Sequence, residues 1–437
     1  IGIAAKLFLS FSVYSNGKKI LDTSQGAGTL TAINGIRFLS MTWVLLGHSV
    51  AFGIGMVGNI GEAFPDYLNR WTFQAISNAL ISVDSFFVLS GLLVGYLTLR
   101  ELKKNDGKLN WFLFYFHRFW RLTPPYMLLM MVYVPLFPYL YDGPFWSEKG
   151  VEPNQCKDSW YFNLLYVNNF VSNFTQQTCM GWAWYLANDM QFYVISPIFI
   201  LPLYYSQTIG IVVVMVGILA CSITSGVISK TENLPATLFV TNGDNKAMLD
   251  YFTDYYVKPY CRIGPYLVGM LTGYFLYKTD CRYRMNKIVN LLGWLIATVL
   301  SCLILYGLHD EVNGHPLSTD VSALYNSTHR TVWGVCLSWV IFTCATGNGG
   351  FVNTLLSWKA FVPLSRLTYC GYLIHPIIMY LIYQGLRQPY YLTDTALVTN
   401  FLSQLVLAYM AAFVLSLTFE SPMMGLEKAL LRRKKNS

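Results

Sequence analysis

The chain has 437 residues, 54% of them hydrophobic and only 12% charged, with a net charge of +8. A soluble domain carries about 25% charged residues, so composition argues against a soluble globular enzyme and makes lipid the expected solvent. The 12 Trp and 31 Tyr suit membrane-edge belts, and the positive charge reads as loop topology and anionic-lipid contact, with no nucleic-acid partner.

In chain order, residues 1–14, IGIAAKLFLSFSVY, read as the tail of an apolar span, and a chain opening without Met is expected to continue a longer protein. Apolar runs of membrane length follow near 31–53, 74–98, 119–140, 181–204, 207–229, 259–278, 288–308, 330–346, 360–386 and 396–420. The expected fold is all-α, a polytopic transmembrane helix bundle of about ten full spans plus the truncated N-terminal one. Residues 1–29 are then the end of a preceding span and a cytoplasmic linker. Residues 30–420 are the membrane domain, and 421–437 a basic cytoplasmic tail.

Lys and Arg concentrate in cytoplasmic loops. With Lys18 and Lys19 inside, alternate segments gather Arg100, Lys103, Arg118, Arg121, Arg282, Arg284 and the tail, and the opposite segments carry fewer than half as many cations. This places residues 15–30 and the C-terminus in the cytoplasm of a plasma-membrane or endomembrane protein. The sequons at Asn173 and Asn326 fall in segments assigned outside, as glycosylation requires. Cys156 and Cys179 share one outside loop, where a disulfide is permitted. The remaining cysteines lie in or beside spans as packing residues, and no pair has the spacing of a metal site.

Ionisable residues inside the spans carry the functional signal, because such groups are costly in lipid. In GIRFLSMTWVLLGH, Arg37 and His48 are eleven residues apart; on a helix they share one face, about 16 Å apart along the axis. Asp84 lies in the second span, beside a Gly91-x-x-x-Gly95 pattern that permits close helix contact, and Asp189 lies in the fourth. Arg118 and Arg121 are three apart, before Pro124-Pro125. In the ninth span, Arg366 lies near the inner end and His375 nine residues outward, on the opposite helical face. Depth sorts these groups: the arginines toward the cytoplasm, the histidines and carboxylates toward the middle and outer half. Basic anchors and a structural pair of Asp84 or Asp189 with an arginine such as Arg262 account equally well for the individual residues. Together they suit a two-ended site, with arginines for a polyanion such as nucleotide phosphates and a histidine for taking a proton from a hydroxyl or amine.

Five stretches in order resemble the acyltransferase-3 family of integral membrane acyltransferases: NGIRFLSMTWVLLGH, VDSFFVLSGLLVGY, RFWRLTPPY, WYLANDMQFYVISP and SRLTYCGYLIHP. The opening helix and FSVYSNGKK are most similar to the animal branch, the nose-resistant-to-fluoxetine-like proteins. The resemblance implies acyl transfer from a cytoplasmic acyl-CoA co-substrate to a hydroxyl or amine of a carbohydrate, lipid or small molecule, with no tightly bound cofactor. It implies His48 as the essential histidine with Arg37 as its partner, and Arg118 and Arg121 as the third motif's basic pair. It also implies an extracellular or lumenal N-terminal domain beyond this chain. Where the family has Glu-Glu, this chain has Asp189-Met190, one acid of shorter reach. The expected assignment is His48 and Asp189 as catalytic groups, Arg37, Arg118, Arg121 and Arg366 on the acyl-CoA phosphates, and Asp84 and His375 at the acceptor end. The alternative is a transporter of lipids or small molecules that uses the same groups without chemistry.

Overall fold

The structure is a computed structural model that describes residues 3–26, 28–147, 150–171, 178–239 and 245–431. Among these residues the elements are helices, and the extended pairing is one isolated parallel bridge between Val57 and Tyr390. Backbone in hydrocarbon must bond to itself, and helices do so within one segment. The sequence marks where they start. Asn110, Ser206, Asn286, Ser318 and Thr393 each precede an apolar run, and each side chain accepts a backbone N–H of the first turn. Beyond Ser82–Lys104 the chain turns through Asp106 and Gly107 at positive φ, and the Gly107 N–H closes on the Leu102 carbonyl at 2.8 Å.

The expectation of about ten full spans is overturned. Among the described residues, six helical stretches are long and apolar enough to cross: Ala32–Met56, Trp71–Lys104, Gly181–Tyr205, Gln207–Thr231, Lys287–Val312 and Asp394–Leu430. A seventh is gained if Thr319–Ala345 and Gly350–Leu356, bent by 91°, count as one. The other three expected spans fail for identifiable reasons. Ile263–Lys278 has only 16 residues, about 24 Å against a hydrocarbon core of about 30 Å. The run 360–386 is split at Leu367 into Phe361–Arg366 and Thr368–Gln384. Trp111–Leu136 is long enough, but His117, Arg118, Arg121 and three prolines dilute its hydropathy. The division of cations between alternate loops assumed ten crossings and does not carry over.

The chain forms two compact units. The first comprises Ile1–Gly58, Asn110–Trp160 and Leu356–Ser437; the second comprises Asn59–Leu109 and Tyr161–Leu355. In the first, Ala32–Gly53 lies parallel to Thr368–Gln384, and contacts climb both helices together. Phe52 meets Tyr380 edge-on at 5.0 Å, and the Tyr383 hydroxyl donates to the Ser49 carbonyl. A Cβ on Gly53 would lie 2.6 Å from the Tyr383 ring, so the close approach requires glycine there. Past both helices, Gly58 N–H bonds the Tyr390 carbonyl at 2.9 Å and Tyr390 N–H bonds that of Met56 at 3.0 Å.

In the second unit, Ser82–Lys104 and Ile263–Lys278 touch backbone to backbone. A Cβ on Gly91 would lie 1.9 Å from the Tyr266 carbonyl oxygen, and one on Gly269 2.0 Å from that of Val88. Gly95 and Gly273 repeat the arrangement one turn on, against Met270 and Leu92. Without a hydrophobic drive between helices in lipid, such contact supplies dispersion that longer side chains would block. Arg262 caps this interface. Its Nη1 donates to Asp84 Oδ2 at 2.8 Å and its Nε to the Tyr256 carbonyl at 2.8 Å. Its guanidinium also lies over the rings of Tyr256 and Trp184. Both charged side chains are essentially inaccessible, at 0% and 1%.

The expected glycosylation at Asn326 is corrected. Asn326 is buried within Thr319–Ala345, and its amide donates to Ser229 Oγ and the Pro235 carbonyl. A committed, buried amide offers no acceptor to a glycosyltransferase in the folded state. Asn173, like the cations at 432–435, lies outside the described residues. Cys156 and Cys179 are both disulfide-bonded.

Two outcomes test this packing by thermal unfolding of detergent-purified protein. Gly91→Ala is expected to lower the unfolding temperature, because the added methyl meets backbone that cannot rotate away. Gly61→Ala, whose Cβ meets open space, should leave it unchanged. Asp84→Ala is expected to cost about 3–5 kcal/mol by stranding the Arg262 charge, and Asp84→Leu combined with Arg262→Met should restore part of that loss.

Candidate active site

The expected site residues divide between the two units. Arg37, His48, Arg118, Arg121, Arg366 and His375 belong to the first, and Asp84 and Asp189 to the second. Helix Ala32–Gly53 runs unbroken from Arg37 to His48, so the eleven-residue spacing does set both side chains on one face.

His48 Nδ1 lies 2.7 Å from Nε2 of His375. The two rings are parallel within 6°, with centroids 5.0 Å apart, and Phe52 closes on His48 edge-on at 5.2 Å. His375 is fully buried, whereas His48 is half-buried. His375 Nδ1 faces the carbonyls of Tyr372 at 2.8 Å and Gly371 at 3.2 Å. His48 Nε2 has no hydrogen-bond partner among the described residues. Sequence reasoning set His375 at the acceptor end without linking it to His48. Spacing within one helix carries no information about which face a second helix presents to it.

Arg118 and Arg121 lie near the start of Trp111–Leu136, Arg118 half-buried and Arg121 exposed. The segment around them is held by two helices, Ser421–Leu431 and Thr368–Gln384. His117 pairs with Glu427, the Trp120 indole donates to the Met423 carbonyl at 2.9 Å, and the Tyr369 hydroxyl donates to the Leu122 carbonyl at 2.6 Å. Pro124 and Pro125 have no N–H for the carbonyls of Trp120 and Arg121 four residues back, so helical bonding is already weakened here. Arg37 is half-buried.

Arg366, assigned to the acyl-CoA phosphates from sequence, is exposed, and one of its nitrogens is engaged within the protein. Its Nη1 is taken up by the carbonyls of Lys19, Ile20 and Asp22, at 2.6, 3.1 and 2.5 Å. It closes the C-terminus of Val13–Leu21, whose last carbonyls have no helical donor. The break at Leu367 also ends the continuous helix on which Arg366 and His375 were assigned opposite faces. Beside this anchor, the hydroxyl and backbone N–H of Ser24 bond Asp22 and hold its carboxyl below the usual range, with Arg366 adding to the effect.

The reading of Asp84 as a group at the acceptor end is corrected, since its carboxylate is the partner of Arg262. Asp189, on Trp184–Ile195, is buried and accepts from Ser90 Oγ at 2.5 Å. The second unit also holds a small cavity lined in part by Asn78, Thr237, Tyr251, Tyr325 and His329, none of them singled out from sequence.

Comparison with known proteins agrees with the motifs. Nose resistant to fluoxetine protein 6 of Caenorhabditis elegans is 34% identical over 454 residues, covering 98% of this chain and 55% of its own length. Regulator of hypoxia-inducible factor 1 of the same organism is 24% identical, covering 95% of this chain and 83% of its own length. Peptidoglycan O-acetyltransferase OatA of Listeria monocytogenes is 30% identical over 131 residues, covering 30% of this chain and 21% of its own length. This chain thus spans little more than half of the first of these relatives. No solved structure matches. The family pattern of the acyltransferase domain matches residues 30–420, and the chain, an all-α polytopic membrane protein, belongs to that family.

Proposed function

We propose that the protein transfers an acyl group from acyl-CoA to a hydroxyl or amine acceptor, with His48 as the general base. The observation that carries this reading is the half-buried His48 ring, with one nitrogen engaged by His375 and the other left for a substrate, on the helix that also carries Arg37. Membership of the acyltransferase-domain family supports the reaction class.

In the proposed step, His48 Nε2 takes the acceptor's proton as the acceptor's lone pair attacks the thioester carbonyl carbon. The tetrahedral adduct then collapses, the C–S bond breaks, and the thiolate takes the proton back from His48 to leave as free CoA thiol. Arg37, Arg118 and Arg121 are the proposed ligands of the CoA phosphates; planar guanidinium groups pair well with phosphate oxygens. Arg366 has the structural role described above. We assign the proton transfer to His48 alone, since Asp84 is committed to Arg262 and Asp189 to Ser90.

We further propose that the end of the first unit bearing Lys18, Lys19, Arg118, Arg121 and Lys428 faces the cytoplasm. The contacts of Arg366 with residues 19–22, of Tyr369 with Leu122 and of Trp120 with Met423 support it, joining the cation-bearing segments as the positive-inside rule expects.

Radiolabelled acyl transfer by purified protein tests the reaction. His48→Ala is expected to lower kcat by about 10²–10⁴-fold, the usual contribution of a positioned base. Equal transfer by variant and wild type removes His48 from the mechanism. Arg118→Gln and Arg121→Gln are each expected to raise KM for acyl-CoA by about tenfold with little change in KM for the acceptor, as lost charge-assisted bonds require.

A further inference from the structure

We propose that His375 is a positioning residue that locks His48 into the one tautomer able to accept a proton from substrate, and that the His375-Pro376 dipeptide is what sets the lock. The inference rests on the acyl-transfer reading and deepens it.

Pro376 lies inside helix Thr368–Gln384 and has no N–H. The carbonyl it would have bonded, four residues earlier, is that of Tyr372. His375 Nδ1 lies 2.8 Å from that carbonyl and 3.2 Å from that of Gly371. A carbonyl oxygen only accepts, so His375 Nδ1 must carry a hydrogen. A lone pair at Nδ1 would face two carbonyl oxygens and be repelled.

The consequence passes along the pair. In neutral His375, with the proton on Nδ1, Nε2 presents a lone pair. The atom 2.7 Å away, His48 Nδ1, must therefore be the donor. His48 then holds its proton on Nδ1 and its lone pair on Nε2, the nitrogen without a partner among the described residues. One carbonyl, two imidazoles and an open nitrogen form a directional chain whose polarity is fixed at the proline end. When His48 accepts the acceptor's proton at Nε2, its Nδ1–H remains bonded to His375 Nε2, which shares the resulting positive charge. His375 itself neither touches substrate nor gains or loses a proton. The relation parallels a carboxylate that holds a catalytic histidine in its working tautomer, with a neutral ring in place of the anion. Full burial of His375 suits a neutral orienter, since a buried carboxylate there would carry a desolvation cost.

The test compares His375→Met, which cannot accept in this way, with His375→Gln, whose amide oxygen can. Transfer is measured beside wild type and His48→Ala, with thermal unfolding and gel-filtration profiles confirming the fold. We expect His375→Met to lose about a hundredfold or more in kcat while KM for both substrates stays within about twofold, and His375→Gln to stay within about tenfold of wild type. A folded His375→Met that turns over like wild type overturns the proposal, as does a folded His375→Gln that falls to the level of His48→Ala. If His375→Met does not fold, His375→Gln against His48→Ala decides. A second readout needs no turnover: diethyl pyrocarbonate attacks an unprotonated imidazole nitrogen, and mass spectrometry of the peptide bearing His48 gives the rate. Loss of the lock should slow modification at Nε2 severalfold, and an unchanged rate in His375→Met overturns the proposal. If wild type transfers no acyl group at all, the acyl-transfer reading falls, and the reactivity difference alone decides whether the lock exists.

Discussion

Inside a hydrocarbon layer a polar side chain finds no water, so it bonds to protein or carries the full cost of its desolvation. Each unit meets that constraint differently. In the second, Arg262 and Asp84 neutralise each other, and the guanidinium spreads its remaining exposure over aromatic rings and a carbonyl. Asp84 Oδ1 and Arg262 Nη2 have no hydrogen-bond partner among the described residues, and the pair fixes how the ends of two helices meet. In the first, His48 and His375 bond one another ring to ring, and His48 Nε2 is left without a protein partner among the described residues.

Close helix contact and site geometry are linked within each unit. Ser82–Lys104 and Ile263–Lys278 approach until glycine is the one residue that fits, and Asp84 sits at the start of the first of these helices. Gly53 against Tyr383 does the same for Ala32–Gly53 and Thr368–Gln384, five residues beyond His48. A histidine pair at 2.7 Å needs its helices fixed to a few tenths of an ångström, and the Tyr383 hydroxyl on the Ser49 carbonyl, next to His48, supplies a second fixed point.

The difference between ten expected spans and six or seven observed has the same origin. Ile263–Lys278 is apolar and most of its residues are buried, so it faces protein more than lipid and need not reach across. The split at Leu367 divides two roles. It separates a short helix whose last residue, Arg366, anchors the linker through Asp22 from a longer one that carries His375. Hydropathy registers both runs as span-length because it counts apolar residues and is blind to where the backbone turns or which neighbours cover it.

What the sequence determined by itself was local and periodic. Scarce charge and long apolar runs required membrane helices; the spacing of Arg37 and His48 put both on one helical face; and five ordered motifs indicated the family. Gly91-x-x-x-Gly95 announced close packing, and Arg262 was foreseeable as a partner for Asp84, although sequence left that choice open. What only the tertiary structure decided was which residues from distant segments meet: His375 with His48 across 327 positions, Asp84 with Arg262 across 178, and Arg366 with the linker. Helical periodicity fixes a side chain's direction from its own axis, but contact depends on the rotation and depth of a second helix. Those are set by the summed packing of many side chains, which no short stretch of sequence encodes.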